Sequence, residues 1–110
     1  MNLDRLLWQS SSMDKGYVIE TLRRHEQELR DAGIVHLRLF GSVARGEESA
    51  QSDVHLMADL DRSMRHSLVG MARLENRLSD LLGVKVDLSR AGSMKEAVRA
   101  RAVREAIDAF

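Results

Sequence analysis

The sequence predicts a mixed α+β (α/β) fold, a small mixed β-sheet with helices packed on one face. Helical and strand patterns follow one another in the order helix, strand, short turn, strand, helix, strand, helix. Proline is absent, so glycines mark the ends of these elements. A chain of 110 residues can bury one modest core but not two. We therefore predict a single domain over residues 14–110, preceded by an N-terminal extension of residues 1–13.

The first helix is predicted between Asp14 and Ala32. Apolar or semi-apolar side chains recur there at steps of four and three and so share one helical face: Val18, Leu22, His25, Leu29 and Ala32. Gly33 comes next, at the position after a helix that often takes a left-handed backbone. The helix is therefore expected to end at this glycine.

Two strands flank a short turn. The first is predicted from Ile34 to Phe40, where large and β-branched apolar residues alternate with polar ones until Gly41 and Ser42. The second is predicted from Val54 to Leu60, because its alternate residues are apolar: Val54, Leu56, Ala58 and Leu60. Side chains alternate between the faces of a strand, so the other set should lie on a polar face: Asp53, His55, Met57, Asp59 and Asp61.

A second helix is predicted from about Ser63 to Leu82, with Gly83 closing it. One face of this helix is apolar: Leu68, Met71, Leu74, Leu78 and Leu81. A third strand should follow at once, from Val84 to Ser89. Its alternation places Asp87 on the polar side of the sheet, the side that also carries Asp53 and His55.

The last helix is predicted from Ser93 to about Asp108. Ser93 and Glu96 have the spacing of a capping box, in which both side chains accept from amides at the helix start. Basic residues of this helix are interspersed with acidic ones, which favours a solvated face over a nucleic-acid patch: Lys95, Arg99, Arg101 and Arg104 against Glu96 and Glu105. Its apolar residues are suited to packing either on the core or on a partner protein, and the sequence does not distinguish between these two arrangements.

Composition excludes several classes of function. Seventeen basic residues balance 17 acidic ones, so no overall charge favours tight non-specific binding of nucleic acid. Without cysteine there is no disulfide, thiol catalysis or zinc–thiolate cluster. No apolar run approaches the roughly 20 residues of a membrane span, and the N-terminus lacks a secretory signal pattern. We expect a cytoplasmic protein that does not associate with membranes.

The turn after the first strand has the chemistry of a phosphate site. Gly41 has no side chain, so a phosphate can approach the backbone, where following amides and the Ser42 hydroxyl can donate to its oxygens. Arg45 lies about one helical turn further on, and its guanidinium can neutralise phosphate charge. The alternative is an ordinary tight turn with a solvated arginine, which this short string alone does not exclude.

Three side chains on the polar face predict a metal site beside this turn. Asp53 and His55 are two residues apart on one strand, and Asp87 shares their face on another. Carboxylates so close repel one another unless a cation lies between them. Magnesium would take oxygens from such carboxylates and from nucleotide phosphates. Taken singly, Asp53 is also consistent with an ordinary aspartate at the start of a strand, and Asp87 with a solvated residue on an edge strand.

Together these segments resemble the minimal nucleotidyltransferase (MNT) domain of the DNA polymerase beta-like superfamily. The resemblance covers roughly residues 14–108 and is carried by three strings: Gly41-Ser42-Val43-Ala44-Arg45-Gly46-Glu47, Ser52-Asp53-Val54-His55-Leu56 and Val86-Asp87-Leu88. It implies the polymerase beta-like palm fold, a triphosphate bound at the Gly-Ser turn, and Mg²⁺, or Mn²⁺, held at positions 53, 55 and 87. It also implies transfer of a nucleoside monophosphate, commonly AMP from ATP, to a hydroxyl acceptor. Many such domains are antitoxins that silence a HEPN-domain toxin by nucleotidylation or by binding.

His55 departs from the family pattern, which has an aspartate at this position. Neutral imidazole is a poorer ligand for magnesium than a carboxylate, since it offers one softer nitrogen and no negative charge. Three explanations stay open: a site for manganese or zinc, nucleotide binding without transfer, and an engineered change. Asp59 and Asp61 are poor substitutes, because each lies about 13 Å or more along the strand from the residue that it would replace.

Two functional hypotheses follow from the sequence. The first is a metal-dependent nucleotidyltransferase with Asp53, His55 and Asp87 at its catalytic centre. The second is an antitoxin-like binding subunit of the same fold that engages a partner through its helices and retains at most nucleotide binding. A homo-oligomer is compatible with both.

Overall fold

A computed structural model of the protein describes residues 14–47 and 53–110. The predicted extension, residues 1–13, lies outside them. The helices are α1 (Lys15–Arg24), α2 (Glu26–Asp31), α3 (Leu68–Leu82) and α4 (Glu96–Glu105), and the strands are β1 (Ile34–Phe40), β2 (Val54–Leu60), β3 (Val86–Arg90) and β4 (Ile107–Asp108). A 3₁₀ turn, Ala91–Ser93, joins β3 to α4.

The strands of the described residues form one mixed sheet in the order β3-β2-β1-β4. β1 pairs antiparallel with both β2 and β4, whereas β2 and β3 run parallel. The parallel pair is possible because α3 crosses over between its strands. The predicted α+β fold with a small mixed sheet is confirmed.

The main core lies between one face of the sheet and helices α1, α2 and α3. The alternate residues Val54, Leu56 and Ala58 of β2 are buried there, as the sequence predicts. Leu37 and Leu39 of β1 lie opposite Ala58 and Leu56 in register and enter the same core. The helices complete it with side chains that include Val18, Leu22, Leu29, Leu74 and Leu78.

The other face of the sheet is partly covered, which refines the expectation of helices on one face only. Met57 of β2 is buried there against Ala91 and against Ala102 of α4, with Phe40 and Met94 packed around them. α4 and the 3₁₀ turn therefore cover the middle of this face. The polar side chains of β2 lie on both sides of that cover, His55 at one end and Asp59 at the other.

The predicted first helix is broken at His25. The His25 amide donates to the Leu22 carbonyl three residues back, a 3₁₀-type bond that tightens the chain between α1 and α2. The second helix begins later than predicted, because Ser67 is its N-cap and accepts from the Gly70 amide at 3.0 Å. Ser63 instead donates through its amide and hydroxyl to the Asp61 carboxylate, in the turn after β2.

The C-terminal region differs most from the prediction. Lys95, with no side-chain cap bond, precedes α4, so Ser93 and Glu96 do not form the predicted capping box. The helix ends at Glu105, and Ile107–Asp108 pairs with β1 as β4. This pairing is non-local, so no periodicity within the segment itself could reveal it. β3 also begins at Val86 rather than Val84.

The outer edge of β3 is closed by side chains of α3. Ser79 Oγ accepts from the Val86 amide at 3.0 Å, and Glu75 Oε2 accepts from the Leu88 amide at 2.8 Å. Amides on a free edge would otherwise be open to pairing with another chain. The same bonds fix β3, and with it Asp87, relative to α3. Among the helices of the described ranges, none combines the length and apolar character needed to cross a bilayer.

Two leucines of α3 give a matched test of this packing. Leu78 is fully buried, whereas Leu68 is 91% exposed. We expect Leu78→Ala to lower the free energy of unfolding by about 2–5 kcal/mol, because it leaves a cavity in the core. Leu68→Ala should change it by less than about 0.5 kcal/mol. Urea unfolding followed by circular dichroism measures both, and equal losses would contradict the helix orientation.

An ion pair between α2 and α3 predicts a pH-dependent part of the stability. Arg77 Nη2 donates to Glu28 Oε1 at 2.9 Å, and hydrogen bonding to Arg77 holds the pKa of Glu28 below its ordinary value of 4.5. A carboxyl whose pKa is lowered by folding stabilises the fold above that ordinary value and loses this effect as the pH falls through the lowered value. Arg77→Gln should therefore have a lower urea midpoint of unfolding than the wild type at pH 7, and this difference should close as the pH falls through the lowered pKa of Glu28.

Arg73 provides the control for this measurement, since it is exposed on the same helix. Arg73→Gln should not produce a gap that closes on acidification. A gap for Arg77→Gln that persists unchanged in acid would show that the pairing with Glu28 is not its cause.

Candidate functional site

The predicted Gly-Ser turn follows β1 directly and is anchored in the core. Gly41 has a φ of +82°, in the left-handed region that favours glycine. The chain then curls back, with the Arg45 amide donating to the Gly41 carbonyl and the Glu47 amide to the Ser42 carbonyl. Val43 and Ala44 are buried below. This anchoring leaves Gly41, Ser42 and Arg45 lining one cleft of about 360 Å³.

His55 and Asp87 lie beside this turn because of strand register. His55 of β2 is opposite Phe40 on β1 and opposite Asp87 on β3. Its Nδ1 is 3.4 Å from Asp87 Oδ2, and its ring centroid is 5.6 Å from that of Phe40. A Cβ added to Gly41 would be 3.2 Å from His55 Cδ2. The imidazole is thus held between the turn, the Phe40 ring and the Asp87 carboxylate, and it lines the same cleft.

Asp53 is placed differently. Its carboxylate lies 3.9 Å from Lys85 Nζ, next to the start of β3. Within residues 14–47 and 53–110, no three His, Cys, Asp or Glu side chains come together closely enough to hold one ion. Of the predicted trio, His55 and Asp87 are in contact, and Asp53 is directed to a lysine. The donors of the trio are two carboxylates and one imidazole, and they fit magnesium less well than three carboxylates would. The metal and catalytic roles of these residues stay predictions.

Arg45 is held by carboxylates on two sides. Its Nε donates to Glu47 Oε2 at 3.0 Å, and its Nη1 donates to Glu105 Oε2 of α4 at 2.9 Å. These hydrogen bonds, the one from Glu47 first, raise the pKa of Arg45 above its ordinary value. The guanidinium therefore stays charged, and a phosphate would have to compete with Glu105 and Glu47 for it.

The sequence did not predict that α4 forms a wall of this cleft. Val98, Arg101, Ala102 and Glu105 line it, at helical steps of three and four. The interspersed charges had favoured a solvated face, and Arg101 is indeed exposed, but it also lines the cleft together with the turn and His55. The small residue Ala102 lets α4 lie close to Met57, but Ala97 and Ala100 are equally small and exposed, so the sequence carries no signal for this wall.

A second cleft, of about 510 Å³, lies at the other end of the same sheet face. Its lining includes His36, Asp59, Asp61, His66 and Arg90. Asp59 and Asp61 are therefore separated from the Gly-Ser turn, in keeping with their poor fit as substitute ligands. Asp61 also accepts from Ser63, which holds the pKa of its carboxyl below the ordinary value.

Comparison with known proteins decides the family. The sequence profile of the nucleotidyltransferase domain matches residues 22–109, which include the Gly-Ser turn, His55 and Asp87. The chain belongs to this nucleotidyltransferase domain family. Together with the similar proteins described next, this match confirms the resemblance to the minimal nucleotidyltransferases that the sequence suggests.

Three proteins similar to this nucleotidyltransferase-family chain are informative. The protein adenylyltransferase MntA of Thermococcus cleftensis is 36% identical over 87 residues, which are 78% of this chain and 86% of MntA. A solved structure, provisionally assigned as a minimal nucleotidyltransferase, has 39% identity and a TM-score of 0.67, and the match covers 86% of this chain and 95% of that one. A chain from the complex of the tri-AMPylated Shewanella oneidensis HEPN toxin with its MNT antitoxin has 17% identity and a TM-score of 0.61, with 84% of this chain and 71% of that chain covered. At that identity the last likeness shows the fold alone.

A substitution at Gly41 tests the geometry of the turn. We expect Gly41→Ala to lower the free energy of unfolding by about 1–2 kcal/mol, because a side chain at this left-handed φ is strained. Its Cβ would also press on the His55 ring. Gly92→Ala is the control, since its Cβ would enter open space and its φ is not left-handed. It should be neutral or stabilising by up to about 1 kcal/mol. Thermal unfolding of both variants distinguishes them, and a Gly41→Ala protein as stable as the wild type would contradict the turn.

Proposed function

We propose that this nucleotidyltransferase-family chain transfers AMP from ATP to a hydroxyl group on a HEPN-domain partner protein. One observation carries the proposal: the Gly41-Ser42 turn and the contact between His55 and Asp87 line one cleft or border it. The relative MntA is named a protein adenylyltransferase, which favours a protein as acceptor. We expect the protein to act in the cytoplasm, because ATP is available there.

The residues of the cleft suit the chemistry of this transfer. Amides of the turn and the Ser42 hydroxyl can donate to phosphate oxygens of ATP. The acceptor oxygen forms a bond to the α-phosphorus, the bond from that phosphorus to the bridging oxygen of the β-phosphate breaks, and pyrophosphate leaves. The acceptor proton passes to water or to a carboxylate of the site. Donors aimed at the leaving pyrophosphate would stabilise the charge that develops there.

His55 limits this activity. Magnesium or manganese is the cofactor that the family resemblance implies, and in this chain an imidazole replaces one of the carboxylates expected to hold it. Asp87 is also engaged with that imidazole at 3.4 Å. We therefore infer slow transfer. The same contact favours a second candidate function, an antitoxin-like subunit that binds ATP and its HEPN partner without transferring AMP.

The variant His55→Asp tests the proposal. Purified protein is incubated with α-labelled ATP, magnesium or manganese, and the HEPN-domain product of a neighbouring gene, and label on the partner is measured. Restoring a carboxylate should increase the rate of transfer by at least about tenfold, the size of effect typical for groups that support a metal site. Asp59→Asn, in the other cleft, should leave the rate unchanged.

The outcomes separate the two candidate functions. Transfer by the present sequence as fast as by His55→Asp would show that His55 does not limit the reaction. If both proteins bind ATP and neither labels the partner, the binding subunit is the correct function. If neither binds ATP, nucleotide chemistry at this cleft is excluded.

A further inference from the structure

The cleft contains one cation whose role the proposed transfer does not explain. Arg101 of α4 lines the cleft together with Ser42 and His55. Among the ion pairs of residues 14–47 and 53–110, none includes Arg101. A guanidinium presents several donors in a planar fork that matches phosphate oxygens. Arg101 is therefore available to an anion in the cleft.

Arg45 does not offer its charge in the same way. Glu47 and Glu105 both accept hydrogen bonds from its guanidinium, at 3.0 and 2.9 Å. The three side chains together carry a net charge of −1, so this cluster does not by itself attract a triphosphate. Among the described residues of the cleft lining, Arg101 thus supplies a guanidinium that forms no ion pair with a carboxylate.

His55 changes the electrostatics of the same cleft. An aspartate at this position would add a negative charge next to Asp87, and a triphosphate could then approach only with cations between them. An imidazole in place of that carboxylate adds no negative charge. The repulsion that makes a divalent cation necessary for binding is therefore reduced at this cleft. The donors that remain fit magnesium poorly, while Arg101, which forms no ion pair among the described residues, lines the same cleft.

We propose that this cleft binds the triphosphate of ATP without a divalent cation, with Arg101 contacting the phosphates. The proposal rests on the proposed function, since it takes ATP as the ligand. Binding and transfer then depend on different groups. Arg101, Ser42 and the turn amides hold the nucleotide. The predicted metal ligands Asp53, His55 and Asp87, which fit magnesium poorly, limit only the rate of the transfer. Arg101 is in this sense a binding residue of the site and has no part in bond breaking.

Isothermal titration of the full chain with ATP tests this, once in excess EDTA and once in magnesium. The wild type should bind ATP in EDTA. Arg101→Gln should raise the Kd in EDTA by about tenfold, the effect of losing a charged hydrogen bond. Arg101→Lys keeps the charge and should recover part of the affinity. Arg99→Gln, two residues away on an exposed position that does not line the cleft, should match the wild type.

His55→Asp provides the second arm of the experiment. The added carboxylate should weaken ATP binding in EDTA and make it depend on magnesium. Circular dichroism at equal concentrations confirms that each variant is folded before titration. Because Arg101 and Arg99 are both exposed on α4, a loss confined to Arg101→Gln reports on the cleft rather than on the helix.

Each result decides a different point. Wild-type binding that appears only with magnesium overturns this inference and leaves the proposed function intact. Binding in EDTA that Arg101→Gln does not weaken shows that Arg101 has no role in it. A lack of ATP binding under both conditions overturns the proposed function itself, together with the inference.

Discussion

The alternation of side chains along β2 is the constraint on which the rest of this structure depends. β2 lies between β1 and β3, so both of its edges are paired and its register fixes both neighbours. Val54, Leu56 and Ala58 enter the main core, which forces His55 and Met57 to the other face. A slip by one residue would bury His55 and expose three core side chains. The register that the core requires is the same register that places His55 opposite Asp87 and Phe40.

Much of the fold could be predicted because its signals are local. β1 and β2 begin and end at the predicted residues, since each strand has its own period of two and glycine or polar residues at its limits. The elements that could not be predicted depend on distant partners. β4 exists because Ile107–Asp108 finds the free edge of β1. Ser93 and Glu96 have capping-box spacing, yet the chain takes a 3₁₀ turn there and packs Ala91 against Met57.

The candidate site, like the fold, has parts that the sequence predicts and parts that it does not. The Gly-Ser turn, His55 and the position of Asp87 follow from motif and strand parity, and the structure brings them to one end of a sheet face. Parity did not reveal that the Asp53 carboxylate lies near Lys85, because a side chain at a strand start has freedom that strand residues lack. The sequence also could not assign α4 to the wall of the cleft, because a charged helical face has the same sequence pattern whether it borders water or a ligand.

A histidine at position 55, where the family resemblance implies an aspartate, changes the charge of the site far more than its shape. His55 is only partly buried, so the fold gains little from the identity of this side chain, and the ring rests on Phe40 and Gly41 without entering the main core. The family fold is therefore compatible with a different chemistry at its site. A site with several carboxylates binds a triphosphate through metal ions. In a site with less negative charge, the cationic side chains of the protein can contact the triphosphate directly. In the proposed site, the guanidinium of Arg101, which forms no ion pair within residues 14–47 and 53–110, and the paired guanidinium of Arg45 are the cations that we expect to set the affinity for the nucleotide.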